Sequence, residues 1–306
     1  MASTGLAGPA VGSPERRTDA VAGVLAQLAI SGLLQGALYA LLAAGLTLIF
    51  GVMRVINMAH GELMILGAYV AFWLFDLAGF TPVLSLGFSF GLLFLIGAAI
   101  QRHLVSRVAN APEISSLLLT FGLSVLSQNL LLQLFTANYV AVPWISGSLE
   151  VGGVALPLAR LVAAGFAVLV TGATYLFLQT TTWGKAVRAT SQHPDVAMVC
   201  GIDVERVRML TYGLGAGLAG AAGSLLVSTF SLNPESGQLF IVKGFACIVL
   251  GGMGNFPGAL LGGLILGLAE IFGGFFLPTQ LAEATAYALL LLALLVRPSG
   301  LLGGRP

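Results

Sequence analysis

The 306-residue chain is predicted to be an all-α polytopic membrane protein, with about 8–10 membrane segments in a single domain, some of them broken or re-entrant. Three observations predict it. Hydrophobic residues make up 58% and charged residues 8%, against about a quarter charged in soluble domains, and the mean hydropathy is +0.99. Apolar runs close to the ~20 residues that cross a bilayer recur along the whole length. The 41 glycines suit helices that approach closely in lipid. A formal net charge of +1 gives no footing for nucleic acid. Cys200 and Cys247 lie in a polar loop and an apolar segment, which argues against a structural disulfide.

Residues 1–20 are small and polar, with Arg16-Arg17 between Glu15 and Asp19, and read as a disordered tail without a cleavable signal peptide. The segments that follow are 22–50, 61–79, 82–101, 114–136, 159–180, 209–231, 238–254, 256–276 and 281–297. Pro82, Pro112, Pro157, Pro234, Pro257 and Pro278 fall near their edges, where helices start or stop. Arg102 and Arg107 mark the 101–113 connection as cytoplasmic, as do Lys185, Arg188, Arg206 and Arg208 for the 181–209 loop. The 137–158 connection has no Lys or Arg and reads as external. Arg297 and Arg305 favour a cytoplasmic C-terminus, while alternation and Arg16-Arg17 disagree about the N-terminus.

Two stretches interrupt the apolar pattern: Gly51 to Glu62, containing Arg54, Asn57 and His60, and Gly251 to Gly258, with Gly252, Gly254, Asn255 and Pro257. Broken segments in the two halves of a transporter point to the permeation path, because unwound backbone must line a cavity or be buried in protein; two ordinary loops are the alternative. The pairs Gly32/Gly36, Gly213/Gly217, Gly258/Gly262 and Gly263/Gly267, with Ala216/Gly220/Ser224, predict close helix contacts.

Thr120, Ser124 and Gln128 recur every four residues and form a polar stripe, read either as interhelical hydrogen-bonding or as part of a pathway. Glu62 reads as a carboxylate at a helix N-terminus or as a functional group, and Glu270 as a proton relay or a buried acceptor. The 181–209 loop carries Lys185, Arg188, Asp195, Asp203, Glu205, Arg206 and Arg208 in a chain that is otherwise almost all hydrocarbon. Within it a short helix ended by Gly201 would turn Val196, Met198 and Val199 toward a groove on a soluble partner. No GxxxxGK[ST], HExxH or CxxC occurs, and the one GxSxG string, Gly87 to Gly91, falls inside the apolar 82–101 segment, so nucleotide hydrolysis and the familiar catalytic constellations have no sequence support.

Three sets of residues carry a resemblance. They are Gly45-Leu46-Thr47-Leu48-Ile49-Phe50-Gly51 with Ile56-Asn57-Met58-Ala59-His60-Gly61-Glu62; Gly184-Lys185-Ala186-Val187-Arg188-Ala189 with Ala197 and Gly201-Ile202; and Leu250-Gly251-Gly252-Met253-Gly254 with Pro257-Gly258-Ala259 and the closing Arg297 to Gly303. The chain is thereby similar, over about residues 25–304, to the branched-chain amino acid (Liv-type) ABC transporter permeases. The resemblance implies an inner-membrane subunit of a bacterial importer, with residues 21–306 as its permease domain. The expected partners are a second related permease, two cytoplasmic ATPases that use the ATP, and a periplasmic substrate-binding protein. No cofactor is expected on this chain.

The resemblance makes 181–209 the coupling loop, counterpart of the EAA-type loop of importer permeases, here with Asp195 and Val196 in the first two positions. Its coupling residues would be Gly184, Lys185, Arg188, Ala189, Asp195, Ala197, Gly201 and Ile202. The translocation path would use Asn57, His60, Gly61, Glu62, Thr120, Ser124, Gln128, Gly251, Gly252, Gly254 and Asn255. Leucine, isoleucine and valine are the expected cargo. Urea, short amides or other amino acids are the alternatives within the family, and a stand-alone secondary transporter or channel is the alternative outside it.

Overall fold

Long apolar runs in lipid have one way to satisfy their backbone, and they take it: nine apolar helices of ten residues or more make up the described bundle. The computed structural model describes residues 14–303 apart from 109–110, 152, 279–280, 282–283 and 298. Positions 1–13 of the expected tail lie outside the described residues. Helix α1 (Pro14–Met53) begins inside that tail, at a proline whose fixed φ suits a first turn, and its apolar part starts at Val21.

Next come α2 (His60–Ala78) and α3 (Pro82–Ile100), the latter carried on to Val108 through a π-helical turn over Gln101–Val105, and then α4 (Glu113–Phe135). A hairpin of β1 (Ser148–Val151) and β2 (Val154–Pro157) precedes α5 (Leu158–Thr180). The apolarity count did not foresee these strands. Two short helices, α6 (Thr182–Gln192) and α7 (Pro194–Val199), fall in the expected polar loop, followed by α8 (Val204–Leu226). The chain continues with α9 (Ser236–Gly251), α10 (Phe256–Phe276) and α11 (Ala284–Val296). Seven of these helices are long and apolar enough to cross a membrane; α9 and α11 are shorter. Side chains close the starts of four helices: Thr81 accepts from Leu84 N, Thr181 from Gly184 N, Asp203 from Arg206 N and Asn255 from Gly258 N.

The core forms around α1 and α8, most of whose residues are buried, whereas α3, α4, α5 and α10 bury under a third of theirs. The glycine pairs explain how the central helices come so close. A Cβ on Gly36 would stand 2.7 Å from the Leu264 Cα, and one on Gly32 2.8 Å from the Leu268 Cα, so α1 and α10 touch backbone to backbone and run antiparallel. Gly213 and Gly217 lie against Phe94 and Phe90, and Gly262 against the Cys247 backbone. Lipid offers no hydrophobic drive between helices, so this contact area is the main attraction. Ser224 Oγ donates to Pro82 O (2.8 Å) and Ser89 Oγ to Gly67 O (3.1 Å), which ties α8 and α2 to α3.

The two ends of the bundle differ. At one, the Gln27 side chain pairs with both the N–H and the C=O of Ala155 (2.9 and 2.6 Å), fastening the hairpin to the beginning of α1. At the other, Gly51 near the end of α1 meets Gly254, and α6 packs beside them. There the segment 299–303 closes over the α9–α10 link: Leu301 N donates to Leu250 O (2.8 Å) and Leu302 N to Gly251 O (3.0 Å), while Asn255 Nδ2 donates to Leu302 O (2.7 Å).

Candidate functional site

The first interruption turns back into the bundle. His60, the first residue of α2, places Nε2 3.2 Å from Leu42 O and packs against Gly45, roughly two to three helical turns before α1 ends at Met53. The link 54–59 therefore brings the start of α2 well inside the membrane segment. A Cβ on Gly61 would overlap the Gly237 carbonyl in the first turn of α9, so two helix N-termini meet here. Asn233 and Ser236 fix the turn before α9, with Asn233 Oδ1 accepting from Ser236 N (2.9 Å) and Oγ (2.7 Å).

Asn57, His60 and Glu62 are at most 1% exposed. Asn57 Nδ2, His60 Nδ1 and both Glu62 oxygens have no hydrogen-bond partner among the described residues. Buried polar atoms normally find one, and a carboxylate in lipid normally finds a charge. Glu62 is the third residue of α2 and faces Gly237, so the positive ends of two helices compensate it instead. Opposite stands the stripe on α4: Thr120 Oγ1 donates to Ile56 O (2.8 Å), Ser124 sits beside the Glu62 carboxylate, and Gln128 Oε1 accepts from Gln238 Nε2 (3.0 Å). The stripe and the first interruption thus form one file of polar groups.

The second interruption has a different character. It is a link at the α6 end of the bundle, and α10 starts again immediately on its Asn255 cap. Gly251 is buried against Gly258, and Gly252 against Gly300 and Gly303, with φ of 107° at Gly252. Gly254, Asn255, Phe256 and Pro257 reach an opening, a groove of about 310 Å³ shared with Gly51, Tyr175, Arg188 and Ser191. Backbone contact accounts for these glycines, whereas the first interruption holds unpaired polar side chains.

Helices α6 and α7 build the surface around that groove. Gly184 must be glycine, since a Cβ would overlap the Leu178 backbone. Arg188 donates to Leu178 O, one of the last carbonyls of α5, so it braces the α5–α6 corner, and Ala189 beside it is half-buried. Arg206 pairs with Asp203 (2.7 Å), and Lys185 is exposed. Helix α7 ends in two bonds across a left-handed residue: Ile202 N donates to Ala197 O (3.0 Å) and Gly201 N to Met198 O (3.0 Å), with φ of 81° at Gly201. That is a Schellman turn. It buries Ala197 at 3% exposure and leaves Val196, Met198 and Val199 at 59%, 53% and 90%, with Asp195 exposed alongside. Gly201→Ala, strained only through its φ, should lower stability by about 1 kcal/mol in a thermal melt; an unchanged melting temperature would show that the turn tolerates a side chain.

A third cluster was hidden from the sequence. Glu270 faces Lys243 of α9: Oε1 lies 2.5 Å from Lys243 Nζ, and Oε2 accepts from Tyr39 OH (2.6 Å) and Gln35 Nε2 (3.1 Å). The two charged side chains are 14–15% exposed, and Lys243 also lies 5.2 Å from the Tyr39 ring centroid. The acceptor reading of Glu270 has its partner here. The partner sits on the neighbouring helix, 27 residues back in the chain, so no helical spacing reveals the pair.

Residues 28–295 match the protein family described as "Branched-chain amino acid transport system / permease component". The chain belongs to this permease family. The high-affinity branched-chain amino acid transport system permease protein LivH of Salmonella typhimurium is 33% identical over 298 residues, covering 90% of this chain and 95% of that one. BraD of Pseudomonas aeruginosa, a permease protein of the same description, is 32% identical over 294 residues with the same coverage. The fructose import permease protein FrcC of Rhizobium meliloti is 26% identical, covering 81% of this chain and 69% of its own. Among solved structures, "PsaBC from Streptococcus pneumoniae in complex with Fab" covers 92% of this chain and 97% of that one at a TM-score of 0.51 and 13% identity, a likeness of fold. The permease is thus a multi-pass membrane transport component, in a family of transport components rather than enzymes.

Proposed function

We propose that this permease is one of two membrane subunits of an ATP-driven importer of branched-chain amino acids in the bacterial inner membrane. The second subunit is a related permease, a periplasmic binding protein delivers the cargo, and two cytoplasmic ATPases hold and hydrolyse the ATP, so this chain needs no cofactor. The observation that carries the reading is the α7 tip, three exposed apolar side chains held out by a Schellman turn, in a chain of this family. Region 181–209 then lies across a groove of the ATPase. Closure of the ATPase pair pushes α7, and because α6 is braced to α5 through Arg188, the push reaches the spans.

This reading sets the orientation. If 181–209 faces the cytoplasm, then the 299–303 segment does too, while the hairpin and the Pro14 end of α1 face outward, as alternation of the segments required. The cargo follows the polar file of Asn57, His60, Gly61 and Glu62 opposite Thr120, Ser124 and Gln128. Gly254 and Asn255 belong with the coupling groove.

Val199→Glu is the direct test, because a side chain 90% exposed plays no part in folding the chain. From cells expressing the neighbouring genes, the tagged wild type should co-purify with ATPase subunits in mild detergent. The variant should insert normally and lose them. Retention of ATPases and of leucine uptake by Val199→Glu would remove α7 from the coupling surface.

A further inference from the structure

We infer that a second cavity, at the α6–α7 end of the polar file, receives the carboxylate of the amino-acid cargo as it leaves the path. The inference rests on the amino-acid permease reading and adds an anion-binding site to it. The cavity measures about 210 Å³ and lies between the end of α1, the π-helical turn of α3, the start of α4 and α8, with Arg54, Arg208, Gln101 and Ser116 supplying its polar lining. Ser116 stands one turn before Thr120, so the α4 stripe runs directly into it.

The two arginines are unspent. Neither guanidinium has an ion-pair partner among the described residues, and Arg208 Nε is buried without a hydrogen bond. Gln101 is 3% exposed, and its Oε1 is likewise unpartnered. Asp203 and Glu205 lie in the adjoining outer hollow with Arg102 and Arg206, and Asp203 is taken by Arg206. Among the described residues, no carboxylate lines the cavity itself.

The backbone gives a second, independent indication. Arg54 follows the last residue of α1 at φ 53°, the left-handed region in which glycine is free of strain and a side chain is not. Arginine held there is strain kept for a charge. The π-helical turn that carries Gln101 inward belongs to a class of irregularity frequent at functional sites. Chemically the cavity offers guanidinium donors and one amide acceptor, a match for a carboxylate with an ammonium beside it.

The test labels a cysteine at Ala111, an exposed residue on the rim. Ala111→Cys is made in a Cys200→Ser background, Cys247 being buried, and the full chain is purified with its partners. An anionic sulfonatoethyl thiosulfonate should react about tenfold faster than the cationic trimethylammonioethyl reagent, as expected of a cleft lined by one sign of charge. Arg208→Gln with Arg54→Gly should abolish the preference, and Arg54→Gly relieves backbone strain, so lost folding would not explain the change. L-leucine should slow the labelling while leucinamide, which lacks the carboxylate, should not.

Equal rates for the two reagents, or a preference that survives the double variant, would overturn the inference. Protection by phosphatidylglycerol vesicles in place of leucine would overturn it in favour of a lipid headgroup. Leucine uptake by the same complex reads the transport assignment separately: uptake without the reagent preference removes the cavity alone, and the preference without uptake removes the amino acid as its ligand.

Discussion

Lys243→Met should destabilise the permease by about 3–5 kcal/mol, because it leaves the Glu270 carboxylate unpaired between α1, α9 and α10. Against the ~5–15 kcal/mol that holds a typical domain together, such a loss removes most of the folded material. Glu270→Gln should fail for the mirror reason, since Lys243 then lacks its counter-charge and keeps only neutral partners, among them Tyr39 OH at 3.1 Å. The combination Lys243→Met with Glu270→Gln should recover much of the loss, as Gln35 and Tyr39 remain to satisfy a neutral amide. Thermal melts of the three variants in detergent decide it. A double variant as unstable as the sum of the single ones would mean that the pair does not act as a pair.

Gly61→Val should prevent assembly of the bundle. The added Cβ would overlap the Gly237 carbonyl and its carbon, which are backbone atoms, so no rotamer change relieves the clash. Overpacking in a core usually costs about 1–3 kcal/mol because side chains give way; with two helix starts in contact, α2 itself must shift, and a β-branched residue adds to the strain. A monodisperse gel-filtration peak with wild-type uptake would show that the two helix starts separate freely, and the re-entrant geometry of 54–61 would need another explanation.

Much of this architecture was legible in the sequence because lipid enforces simple rules. The apolar runs fell within a few residues of the helices, and all four GxxxG pairs lie in helix contacts. Gly201 was legible as a helix stop because a left-handed residue after a short amphipathic run has few other uses. What escaped was what depends on partners distant in the chain. Lys243 carries no motif, and its pairing with Glu270 exists only after α9 and α10 have folded together. Arg188 read as a coupling residue, and its bond to the Leu178 carbonyl exists only once the α5–α6 corner has formed. Both interruptions read as broken segments; one turns inward and the other is a link under 299–303, and the neighbours make the difference.

That cover has a consequence for the order in which the chain is made. The residues that cap the carbonyls of Leu250 and Gly251 emerge from the ribosome roughly fifty residues after them, with α10 and α11 in between. Helix α9 therefore enters the membrane with its last turn uncapped, and that turn is completed only when two further helices have been inserted. The three helices close as one unit, so a nascent chain arrested before Ser299 would present the insertion machinery and proteases with the open end of a helix already committed to lipid.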